Sequence, residues 1–122
     1  MHKLCVIEHT EDYELSFDES GSVHSNRYAT AIVTFTLPSI FGNPIISKGA
    51  YFYFASQVYS LIGRIILIQP KAGDIINDNS VPITGEYIWA DGRGEGITLV
   101  SDGVNAWNTI DKSGVWKSAS TP

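Results

Sequence analysis

Apolar residues in this chain recur with a period of two, and no segment sustains a 3.6-residue period beyond about two turns. Strands send alternate side chains to opposite faces, so this pattern demands sheets with one buried face. Val33, Phe35 and Leu37 alternate with Thr34 and Thr36 before Pro38 stops the run. Tyr51, Phe52, Tyr53 and Phe54 form an aromatic strand with two apolar faces, so both sides need cover. Residues 64–69 carry four aliphatics and end at Pro70. Shorter runs follow at 75–76, 87–89, 97–100, 106–110 and 115–117. Turn signals stand between them: Phe41-Gly42-Asn43-Pro44, Ala72-Gly73-Asp74, Asp78-Asn79-Ser80, Asp91-Gly92, Asp102-Gly103 and Ser113-Gly114. Asp-Gly supplies the positive φ that a tight hairpin requires. The one stretch with helix-like spacing, residues 55–62, fits a strand pair equally well. The prediction is an all-β chain: a single β-sandwich or barrel-like domain of short antiparallel strands.

At 122 residues the chain has the length of one ordinary domain. Its 43% hydrophobic and 17% charged content is too apolar for a disordered chain. The apolar runs are too short to span a bilayer, and acids soon follow the first residues, where a secretory signal would be apolar. One cysteine, Cys5, excludes an internal disulfide and a Cys-rich zinc site, and the run Leu4-Cys5-Val6-Ile7 suggests a small buried hydrophobe. A net charge of −5 argues against a phosphate-backbone binder. Neither nucleic acid nor membrane is an expected partner.

The acids are unevenly spread. Glu8, Glu11, Asp12, Glu14, Asp18 and Glu19 fall in twelve positions without a Lys or Arg. Such a run usually marks solvated faces and turns; the sharper reading is an acidic arm docking on a basic surface. Residues 1–19 are therefore read as an acidic N-terminal arm or as the first strand, and 20–122 as the β-sandwich-like module.

The residues point away from catalysis. There is no Gly-x-Ser-x-Gly elbow, phosphate-binding loop or His-Glu-x-x-His pair. The run from Asp91 to Gly96 begins like a calcium loop, but Arg93 stands where an oxygen ligand belongs and no Glu occupies the twelfth position. Asp74, Asp78 and Asn79 lie in ordinary turns. No pair of acids is set up to face across a cleft for glycoside cleavage. His2, His9 and His24 are spaced like surface residues rather than a triad. The chain is read as a non-enzyme without cofactor or metal. Trp107 and Trp116 are assigned to neighbouring strands of a terminal hairpin, as a core lid rather than a sugar platform.

The order of the pieces carries a resemblance. Val33-Thr34-Phe35-Thr36-Leu37-Pro38, the aromatic strand, Ile66-Leu67-Ile68-Gln69-Pro70 and Gly73-Asp74-Ile75-Ile76 lead to three later pieces. These are the run from Gly96 to Gly103, Trp107-Asn108-Thr109-Ile110 and Ser113-Gly114-Val115-Trp116. Over about residues 20–117 this order resembles a small all-β module of tailed-bacteriophage virion proteins: head decoration (cement) proteins, head fibres, and tail fibres or spikes. The acidic segment and Arg64 depart from it.

The resemblance implies a structural virion protein that assembles as a homotrimer. Because about twenty residues precede the module, a capsid decoration protein seated on the major capsid protein at the head surface is expected, rather than a tail component. The alternative is a receptor-binding head-fibre or tail-fibre tip for host glycan. Leu4, Val6, Ile7, Glu11 and Asp12 are the candidate contacts to the capsid or another virion protein. The loops with Phe41 and Asn43, and with Asp91, Arg93 and Glu95, are the alternatives.

Overall fold

The computed structural model describes residues 6–56, 65–78, 81–84, 87–90 and 95–118. The described residues form twelve strands and one short helix. The strands are β1 (Val6–Glu8), β2 (Tyr13–Glu14), β3 (Val23–Ser25), β4 (Val33–Thr36), β5 (Tyr51–Ser56) and β6 (Ile66–Gln69). They continue with β7 (Ile75–Asp78), β8 (Val81–Thr84), β9 (Ile88–Ala90), β10 (Glu95–Ser101), β11 (Ala106–Ser113) and β12 (Lys117–Ser118). The helix α1 (Pro44–Ser47) precedes β5. A seven-stranded sheet has the order β1-β3-β5-β10-β11-β7-β8, and a five-stranded sheet the order β12-β9-β6-β4-β2.

The inward set is the one the alternation predicts. Val33 and Phe35 of β4, Phe52 and Phe54 of β5, and Ile97 and Leu99 of β10 are buried in one core with Ile66, Ile68, Ile76, Ile88 and Trp107. Phe35 and Phe54 meet across the two sheets with ring centroids 5.3 Å apart. The chain is therefore mostly β with two facing sheets, but the strands are not simply antiparallel. Half of the ten pairings are parallel: β1/β3, β3/β5, β2/β4, β4/β6 and β7/β11.

The reason lies in the path of the chain. From β1 to β6 it alternates between the sheets, so each strand pairs with the one two positions later. A strand reached by crossing over and returning runs parallel to its predecessor, whereas only directly joined neighbours form hairpins. The Asp102-Gly103 hairpin between β10 and β11 is antiparallel as expected. There Gly103 adopts φ +80°, and Asp102 Oδ1 accepts from the N–H groups of Val104, Asn105 and Ala106. Burial alone would raise the Asp102 pKa, but these backbone donors hold it below the usual carboxylate value. Trp116 leads into β12 of the other sheet, which pairs with β9, so Trp107 and Trp116 do not share a terminal hairpin. Both are buried in the core.

Candidate functional site

Strand register builds one continuous row on the outer face of the seven-stranded sheet. Val6 lies opposite Val23, Val23 opposite Tyr53, Tyr53 opposite Thr98, and Thr98 opposite Asp111. At a strand spacing of about 4.8 Å the row spans about 19 Å. Tyr51 and Val100 pair in the next row of the same face. A bulge adds one more side chain. Thr98 opposes Asp111 but Leu99 opposes Thr109, so Ile110 is the extra residue. In a regular strand Ile110 and Asp111 would point to opposite faces; the bulge lets both line the same side. Together these residues enclose a groove of about 600 Å³. Its walls are mainly Val, Ile and the two Tyr rings, with Asp111 the charged group among its lining residues.

A second feature lies inside. His24 is wholly buried between the sheets, against Phe35, Phe52 and Phe54, and His9 packs on Tyr13 and Phe35. His9 Nε2 and His24 Nδ1 are 2.9 Å apart, and His24 Nε2 lies 2.6 Å from Ser22 Oγ. The Ser22 hydroxyl donates to the Glu19 carbonyl at 2.6 Å, and a carbonyl can only accept. Ser22 Oγ must then accept from His24 Nε2–H, which leaves His24 Nδ1 to accept from His9 Nε2–H. The relay thus has one direction, with both rings neutral. Burial first, then the neighbouring His9, holds the His24 pKa down to about 4, against the opposing pull of Glu19. Burial likewise lowers that of His9, with Glu19 opposing. Tyr13 donates to Glu19 Oε2 at 2.6 Å and closes the cluster; that bond, then burial, raises the Tyr13 pKa.

This Ser-His-His order is not arranged for nucleophilic attack. The serine proton goes to a carbonyl rather than to the imidazole, and Ser22 is buried. The expectation that His9 and His24 are surface residues is overturned. They are 15 positions apart but lie side by side because β1 and β3 are parallel neighbours. Among the described residues, no three or more His, Cys, Asp or Glu gather as a metal site.

The sequence-predicted contacts are dispersed. Val6 is exposed at one end of the groove row, and Ile7, opposite His24, is half-buried. Glu11 is exposed, while Asp12 Oδ1 accepts from Thr34 N–H at 2.9 Å and ties the 9–12 loop to β4. Other acids of this segment are engaged within the chain: Glu8 with Arg27 at 3.7 Å, Glu14 with Lys71, and Glu19 with Tyr13. Phe17 stacks on Trp107, so residues 6–19 contribute to both sheets and to the core. Phe41 is exposed and Asn43 half-buried on one loop. Asp74 is buried, and its two oxygens accept from Ile40 and Phe41 N–H at 2.8 and 3.0 Å, so it clamps that loop. Glu95 is buried as well and accepts from Val115 N–H at 2.5 Å. Leu4, Asp91 and Arg93, like His2, Cys5, Arg64, Asn79 and most of the 55–62 stretch, lie outside the described residues.

Sequence reasoning missed Val23, Thr98, Val100 and Ile110 as one surface. The available signal was Tyr51 and Tyr53, whose alternation with Phe52 and Phe54 marks an aromatic outer face. No protein-family model matches the chain, and no curated protein matches it in sequence.

Proposed function

We propose that this chain is a non-enzymatic assembly protein of a tailed-phage virion, a decoration protein that binds the major capsid protein at the head surface as a homotrimer. The order of strand motifs over residues 20–117 supports the virion setting. The observation that carries an assembly role is the outer face of the seven-stranded sheet: a broad apolar groove on a rigid β scaffold. Val6, Tyr51 and Ile110 stand open to solvent along it and offer apolar contacts to a partner. Among the groove's lining residues Asp111 is the charged group, beside the hydroxyls of Tyr51, Tyr53 and Thr98, and no histidine or cysteine joins them. The buried Ser22-His24-His9 relay adds no nucleophile to it.

Glycan recognition through stacked tryptophans has less support, since Trp89, Trp107 and Trp116 are all buried. Separating phage particles into heads and tails, and probing each with antibody raised against this chain, tests the proposal. Label on heads is the expected result. Label confined to tails, or absent from particles, would overturn it.

A further inference from the structure

We infer that the groove on the seven-stranded sheet receives the apolar tip formed by residues 41–46 of a second copy of this chain, so that copies join head to tail around a closed ring. The inference rests on the assembly reading above and names its self-contact.

The tip is unusual for a loop. Phe41, Ile45 and Ile46 are 68%, 93% and 63% exposed within six residues. It is also firmly held. Asp74 fixes the backbone at Ile40 and Phe41, the Asn43 side chain donates to the Ser39 carbonyl, and Pro44 opens α1. A preorganised apolar tip loses little conformational freedom on docking, so more of its burial appears as affinity.

The groove fits such a tip in size and charge. Its volume of about 600 Å³ leaves space for apolar side chains to enter between its walls. That is room for an aromatic ring with an aliphatic neighbour. The tip carries no charge, but exposed Lys48 follows it and makes no ion pair among the described residues. The groove carries Asp111, also exposed. Lys48 of one copy can meet Asp111 of the next. Packing groove against groove would instead bring two Asp111 carboxylates together in a chain already at −5. No residue of the tip lines the groove, so each copy offers both halves of the contact. A contact between two different surfaces is heterologous; it closes into a ring when its rotation permits, and three copies complete the trimer.

Two exposed positions test this in the full chain, Ile45→Glu on the tip and Ile110→Glu in the groove, with folding checked by circular dichroism. The wild type is expected to sediment as a trimer and each variant as a monomer, with association weakened at least about 100-fold. Mixed in equal amounts, the variants should form 1:1 dimers and nothing larger, because the intact tip of Ile110→Glu enters the intact groove of Ile45→Glu. As a second pair, Lys48→Glu and Asp111→Lys should each weaken the trimer, and the double variant should restore it. A trimeric wild type whose Ile45→Glu variant is also trimeric would overturn the inference and leave the virion reading standing. So would variants that dissociate but never pair on mixing. A wild type that stays monomeric would overturn both this contact and the trimer proposed above.

Discussion

Lowering the pH from 7.5 to 5 should destabilise this protein through its buried histidine pair. His24 is wholly buried, with His9, Tyr13 and Glu19 the titratable groups in its cluster, and its pKa lies at about 4 instead of 6.5. A depressed folded-state pKa means that the unfolded chain takes up the proton first. The stabilising contribution is therefore complete above pH 6.5 and is lost as pH falls toward 4. The full shift of about 2.5 units, at about 1.36 kcal/mol each, sets a ceiling near 3 kcal/mol. At pH 5 about 2 kcal/mol of that would be gone. A loss of about 1–2 kcal/mol is therefore expected. His9, also lowered, acts in the same direction. Asp102 contributes only at more acidic pH, since its pKa lies below the usual carboxylate value. Urea unfolding followed by fluorescence of the three buried tryptophans reads the change directly. His24→Gln should be less stable at pH 7.5 but show a flatter pH dependence between 7.5 and 5. Nitrogen-detected NMR should find both rings as the Nε2–H tautomer. A wild-type midpoint that does not move between pH 7.5 and 5, or an equal slope in His24→Gln, would refute the reasoning.

Asp74→Ala removes the acceptor for two backbone donors and should cost about 3 kcal/mol in urea unfolding, with faster amide exchange at Phe41. Asp74→Asn, which keeps one acceptor oxygen, should cost less. Gly114→Ala should lower the melting temperature by several degrees although the position is exposed, because φ is +80° and a Cβ would run into the Glu95 side chain. A melting temperature unchanged in Gly114→Ala would contradict the geometry of that turn. Phe35→Ala, at the centre of the inter-sheet contact, should cost about 3–5 kcal/mol by the same assay.

The alternation of Val33, Phe35 and Leu37 with threonines identifies the inward face from the sequence alone, and the core contains all three. The Asp102-Gly103 turn is equally legible, because its geometry is local. Sheet topology is not. A period of two is the same in parallel and antiparallel strands, so nothing in residues 6–69 announces that the chain crosses between sheets at every step. That one missing fact hides the rest. Without the parallel pairing of β1 with β3, His9 and His24 look unrelated. Without the register across four strands, Val6, Val23, Tyr53 and Thr98 do not form a row. Ile110 reaches the groove only through a bulge, which strand alternation cannot foresee.

Sedimentation equilibrium of the full chain at neutral pH tests the proposed trimer most directly, because its contact between copies is built on the outer sheet face. The account predicts a species of three times the 13.4 kDa chain mass that dissociates when Ile110 is replaced by Glu. A single 13.4 kDa species up to the solubility limit, unaffected by that substitution, would contradict it.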